Sequence, residues 1–189
     1  VLFRSINFGV TGAGTADAVT NVTINAAGSL TTGGIAGITN DGANNKITVA
    51  GAGTLVDLGT LDVDVDTVDA SGLTAGGVTA TISAVGQAIT GGAGKDTITT
   101  LAAGTLMTKV VDAAGGTMVI NGAALVDSTA NGAQFKNFEV LQVNSGTAAA
   151  AQDVANLSAT NTFTSAIVNQ TTTNATGISN MNATMAAAV

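Results

Sequence analysis

The chain contains no cysteine, histidine, proline, tryptophan or tyrosine in 189 residues. Without cysteine there is no disulfide, no thiolate metal site and no thiol nucleophile. Without histidine the usual general base and the commonest transition-metal ligand are gone. Most hydrolase triads are thereby excluded, and the chain is expected not to be an enzyme. Missing proline leaves every backbone N–H free to join a ladder. Charge is scarce too, at 9% of residues, with Glu139 the single glutamate. The formal charge of -7 argues against nucleic acid or an anionic membrane surface as partner. Mean hydropathy is +0.45, yet no run of about 18 apolar residues occurs, so no helical membrane span is expected. Lack of cysteine does not indicate the cytosol, since secreted bacterial chains often avoid it.

What is present is 46% hydrophobic residues with only 3% aromatics, so the apolar mass is Val, Ala, Ile and Leu. Small, branched side chains suit thin repetitive layers better than a thick globular core. Short β-type runs at 19–24, 46–49, 78–82, 117–120 and 138–143 alternate with glycine and asparagine turns such as Gly33-Gly34, Gly76-Gly77 and Gly115-Gly116. The fold class expected is all-β, a β-solenoid or parallel β-helix-like repeat segment, with Ile47, Val49, Val78, Ile82, Ile98, Val119, Val140 and Val143 pointing inward. The best helix candidate, 148–155, is short enough to be marginal.

Val1-Leu2-Phe3-Arg4-Ser5 reads as a non-native leader, and the chain as an internal stretch of a longer protein. The solenoid is expected over residues 6–146. Residues 147–189 are expected to be a less stable, truncated continuation, carrying β pattern through 163–168 but lacking a polar cap.

One segment carries a mechanism. Gly91-Gly92-Ala93-Gly94-Lys95-Asp96-Thr97-Ile98-Thr99 matches G-G-x-G-x-D-x-U-x, a calcium-associated turn followed by a short strand. Its glycines are expected to take positive φ, and its aspartate adds a hard anionic oxygen. Echoes at 12–20 and 40–48 are degenerate, the second placing Asn45 where the aspartate belongs. Residues 61–72 and 138–146 share a looser pattern about seventy positions apart.

Together with threonine, alanine and glycine richness, Val68-Asp69-Ala70-Ser71-Gly72-Leu73 and Phe138-Glu139-Val140-Leu141-Gln142-Val143, the nonapeptide resembles bacterial surface-layer proteins with repeats-in-toxin-like elements. The resemblance covers most of residues 6–145, although no second intact nonapeptide follows. It implies a structural segment of a self-assembling layer, exported by a type I system to the cell surface and stabilised by Ca2+. It further implies carbonyl ligation by Gly91, Gly92 and Gly94, carboxylate ligation by Asp96, and core anchoring by Ile98. Lys95 would point outward. Partners implied are further copies in a lattice and, through parts outside this stretch, a cell-surface polysaccharide. Two other readings share the composition: the repeat region of a large secreted adhesin, and the non-catalytic tail of a secreted protease or lipase.

Asp62, Asp64 and Asp66 alternate with apolar residues, so a strand would set three carboxylates on one face about 6.6–7 Å apart. Such a face is either solvated, the favoured reading, or a cation site. Gly12-Ala13-Gly14 lacks the third glycine and the helix of a dinucleotide-binding turn. The five N-x-S/T sequons follow from abundant Asn and Thr.

Overall fold

The computed structural model describes residues 6–7, 20–36, 38, 44–101, 107–120, 126–144, 151–169 and 178–187. In chain order the strands are β1 (Ile6–Asn7), β2 (Asn21–Asn25), β3 (Leu30–Thr31), β4 (Ile35–Ala36), β5 (Lys46–Gly51), β6 (Leu55–Thr60), β7 (Thr67–Leu73) and β8 (Gly77–Thr81). There follow β9 (Ala88–Thr90), β10 (Asp96–Thr99), β11 (Val111–Asp112), β12 (Gly116–Ile120), β13 (Phe135–Lys136), β14 (Val140–Asn144), β15 (Gln152–Asp153), β16 (Ser165–Asn169) and β17 (Ile178–Ser179). Helices among the described residues are two four-residue turns, α1 (Thr129–Gly132) and α2 (Ala183–Ala186), and a 3-10 turn at Val154–Asn156.

From β2 to β14, β4 aside, successive strands go alternately to two parallel sheets, while β1 pairs with β4 and β15 with β17 in two separate two-stranded sheets. Of the two main sheets, one has seven strands in the order β16-β14-β12-β10-β8-β6-β3, the other six in the order β13-β11-β9-β7-β5-β2. Each coil thus adds one strand to each sheet, and the chain is a β-solenoid, as the strand-and-turn alternation implies. Side-chain hydrogen bonds between neighbouring coils span from 18 residues, at Val78 and Asp96, to 30, at Val126 and Asn156. Coil length therefore varies through the turns while the strands keep register.

Register builds the core as columns. Val22, Ile47, Val68, Ile89, Val111 and Phe135 are successive partners in the six-stranded sheet, all buried. In the other sheet Ala80, Ile98, Met118, Leu141 and Ala166 form the equivalent column. A β-branched residue suits such a column because its stiff side chain stands off the pleat and meets its twin about 4.8 Å away. Phe135 and Phe138 meet at 6.5 Å between ring centroids, close to the end where Phe163 also enters the core.

Six of the eight residues expected inside are in the core. Val140 is not: it lies on the outer face opposite Thr117, and Leu141 and Val143 point in. Val119 is buried but faces away from the core occupied by Met118 and Ile120. The short apolar runs hide the strand phase, and the polar Gln142 between Leu141 and Val143 is what marks it. Residues 61–66 form no strand. Val63 and Asp64 sit in a turn, where Asp62 Oδ1 accepts from Asp64 N at 3.2 Å and Asp66 Oδ2 from Asn45 N at 2.8 Å. The looser repeat has no structural counterpart either, since β7 and β14 belong to different sheets. Of the expected helix at 148–155, residues 148–150 lie outside the described residues, and the rest begins with β15 and the 3-10 turn. The leader and the echo from Gly12 to Val19 also lie outside them.

At the carboxyl end, β16 falls within the apolar stretch 163–168 and one residue beyond. There α2 packs against β16, Met185 is fully buried, and Asn182 Nδ2 donates to Phe163 O at 3.1 Å. Sequence pattern gives no sign of α2 because a four-residue helix has no detectable period.

Between coils the polar ties are amides. Asn161 Oδ1 accepts from Phe138 N at 2.9 Å, while its Nδ2 donates to Phe135 O and Leu157 O. Gln87 ties Ser83 and Ala84 N–H groups to Asp62 O, and Gln152 holds both backbone groups of Val126. A carboxamide donates and accepts at once, so it satisfies a buried turn without bringing in a charge. Asn161→Ala removes the partner of the Phe138 N–H and of the Leu157 carbonyl, while Phe135 O keeps Thr160 Oγ1 at 2.7 Å, and about 1–3 kcal/mol of stability should be lost in urea denaturation. A loss below about 0.5 kcal/mol would show that water replaces the amide. Glycine also has a packing role: a methyl on Gly77 would collide with the Lys95 carbonyl, whereas nothing lies within 4 Å of one on Gly86. Gly77→Ala should cost about 2 kcal/mol or more, and Gly86→Ala under about 0.5 kcal/mol, in the same assay.

Candidate cation-binding turn

Residues 91–95 join β9 to β10 and lie between the turns of two neighbouring coils. Ala93 N donates to Leu73 O at 3.0 Å and Gly94 N to Gly76 O at 2.9 Å on one side. On the other, Gly91 N donates to Asp112 O at 2.8 Å and Asp96 N to Gly115 O at 3.3 Å. None of Gly91, Gly92 and Gly94 takes the positive φ expected of them; among the described glycines that conformation belongs to Gly33, Gly34, Gly51, Gly59 and Gly115. Close approach explains them instead. A Cβ on Gly94 would stand 2.9 Å from Ala75 O, and one on Gly92 would strike Gly76 O.

Asp96 opens β10 and points inward, with Gly116 as its register partner. On the other side, one step before the Thr79 and Thr97 pair, lies Val78, preceded in that column by Val56 and Leu30. A carboxylate therefore occupies an aliphatic position. It is fully buried, and its Oδ1 accepts from Val78 N at 2.6 Å and Gly92 N at 3.1 Å. Oδ2 has no hydrogen-bond partner and fills the space that a side chain on Gly91 would take. Burial pushes the Asp96 carboxyl above its ordinary 3.8; the Val78 and Gly92 N–H bonds pull it back, and the Asp112 charge pushes it further up.

Gly91, Gly92, Gly94 and Asp96 thus lie in one turn, as the motif implies, and Lys95 is exposed. The pattern did not single out Asp112. It stands one coil on, paired with Thr90, and with Gly91, Gly92 and Asn137 it borders a groove of about 390 Å³. Its Oδ1 accepts from Asn137 Nδ2 at 2.7 Å. The signal was slight: an aspartate after a β pair, ahead of Ala113-Ala114-Gly115-Gly116. Asp62, Asp64 and Asp66 belong to the loop before β7, so they are not part of this turn.

The donors suit a hard cation. Asp96 offers one orphaned anionic oxygen, Asp112 a second negative charge nearby, and the glycine turn a set of backbone carbonyls. Among the described residues no three acidic side chains gather, so calcium, which takes 6–8 oxygens, would draw most of them from carbonyls and water. Comparison with family models, curated proteins and solved structures finds no match to this chain.

The two displaced carboxyls act oppositely with pH. Asp96, raised, contributes stability that is complete below 3.8 and is lost as pH rises through its folded value. Asp69 is held down at about 2, first by Lys46, whose Nζ lies 2.8 Å away, and then by Ser71. Its contribution is present above 3.8 and is lost as pH falls toward 2; with its side chain 31% exposed, that contribution is small. In calcium-free buffer, acidification from neutral pH should therefore raise the thermal midpoint of the wild type relative to Asp96→Asn. Parallel profiles for the two proteins would contradict the assignment.

Proposed function

We propose that this chain is a calcium-stabilised structural segment of a secreted, self-assembling bacterial surface layer, with no catalytic role. The observation that carries the reading is the buried Asp96 carboxylate with one orphaned oxygen, inside a glycine turn that matches the calcium nonapeptide. The solenoid supports it, because stacked coils are a scaffold that assembles by repetition. Cell-surface location and export follow from the family resemblance alone.

Calcium binding to the folded chain must raise the thermal midpoint, with a gain that grows with concentration. Extracellular sites bind at about 10⁻⁴–10⁻³ M, so a titration to about 10 mM covers the range. Asp96→Asn keeps an acceptor for Val78 N and Gly92 N but removes the charge. It should be at least as stable as the wild type without calcium and lose most of the calcium gain, while Asp64→Ala retains it. No stabilisation of the wild type by 10 mM calcium would end the calcium reading, and loss of the gain in Asp64→Ala alone would move the site to the loop before β7.

A further inference from the structure

Asn137 is one of two residues other than glycine, among those described, that take positive φ, at 60°. Its backbone is fixed there from both sides: Asn137 N donates to Thr160 O at 3.0 Å, and Gly115 N donates to Asn137 O at 2.9 Å. Glycine takes this conformation without the steric cost that a side chain brings, so what the position gains from asparagine is its amide. That amide reaches back one coil, where Nδ2 donates to Asp112 Oδ1 at 2.7 Å. Asp112 in turn adjoins the glycine turn. Gly91 N donates to its carbonyl at 2.8 Å, and Gly91, Gly92, Asp112 and Asn137 border one groove. After burial, the Asp112 charge is a further cause that raises the orphaned Asp96 carboxyl.

We propose that Asp112 is the second anion of the cation site at Asp96, and that Asn137 is the residue that positions it; the inference rests on the calcium reading above. The nonapeptide ends at Thr99 and contains neither residue. Two carboxylates in neighbouring coils repel each other, and both attract a divalent ion, so the charge that weakens the turn without calcium strengthens its binding of calcium. The bond from Asn137 holds the Asp112 side chain in place beforehand, which spares binding the cost of ordering it. The tie alone is a scaffold device, as a second example shows. Asn180, at φ 54°, donates to Asp153 Oδ1 at 3.0 Å, 27 residues back. There the same oxygen also accepts from Ala155 N at 2.8 Å and caps the 3-10 turn, and no copy of the nonapeptide accompanies it. Asp153 is therefore the natural control.

In calcium-free buffer Asp112→Asn should be at least as stable as the wild type, because a repulsion is removed. It should bind calcium roughly five-fold or more weakly by titration calorimetry, since a unit charge attracts a divalent ion by more than thermal energy across several ångströms even in water. The calcium gain in thermal midpoint should shrink with it. Asn137→Gly suits the backbone at φ 60° and should fold, yet lower calcium affinity in the same direction. Asp153→Asn removes an equal charge farther along the solenoid and should leave affinity within about two-fold. Unchanged affinity in Asp112→Asn, or an equal loss in Asp153→Asn, would overturn the assignment of Asp112 and leave the site at Asp96 standing. Full affinity in Asn137→Gly rejects the positioning role. A wild type that calcium neither binds nor stabilises rejects the calcium reading and this inference together.

Discussion

Everything in this chain depends on the hydrogen-bonded ladder between one coil and the next. A parallel strand pair cannot close on itself, and each β2-to-β16 strand is short, so its N–H and C=O groups find partners only because the neighbouring coil presents a strand in register. The ladder continues through the turns: Gly53 N reaches Ala26 O, Thr74 N reaches Gly51 O, and Asn137 N reaches Thr160 O. Proline anywhere in these turns would remove a donor that the next coil needs, which gives its absence a physical meaning.

Stacking at about 4.8 Å limits what the core can hold. Side chains line up above their own kind, so columns of Val, Ile, Leu and Met fill the space between sheets. The few phenylalanines among the described residues gather where the coils lengthen, with Asn161 reaching back 26 residues to Phe135. Buried amides then act where turns leave the ladder. Asn45 does this at the start of β5, donating its Nδ2 to Asp64 O while its N–H meets Asp66, so the degenerate echo of the nonapeptide retains a coil-to-coil tie after losing the charge.

Legibility in the sequence followed the strength of these patterns. β-branched runs at 46–49, 78–82 and 117–120 were readable as strands because propensity and burial point the same way there, and glycine pairs punctuated them correctly. Phase was lost at Val119 and Val140, where apolar residues occupy both faces of the sheet. Periodicity alone misassigned 61–66: alternation of Asp and Val mimics a strand, but Asp side chains close turns on nearby backbone N–H groups, as Asp62 does with Asp64. The carboxamide ties at Gln87, Gln152 and Asn161 had no signature in a chain so rich in polar residues, since their significance lies in contacts 23 to 26 residues away. Within the turn, the motif located Gly91, Gly92, Gly94 and Asp96, while the reason for the glycines and the proximity of Asp112 required the stacked neighbours.

Asp96 is where the chain departs furthest from its own rule. A valine in the column below Val78 would bury an apolar side chain worth about 1.5–3 kcal/mol. It would also spare the cost of a carboxylate out of water, which two backbone N–H bonds on one oxygen repay only in part. The surroundings are nonetheless fitted to the carboxylate, with Gly91 yielding its side-chain space to Oδ2. A site that is both destabilising and accommodated by its neighbours is the pattern of a functional position. A bound cation would resolve the tension in one step, meeting the orphaned oxygen and offsetting the repulsion from Asp112. A proton on Asp96 would remove the same repulsion, which is why the Asp112 charge pushes that carboxyl up.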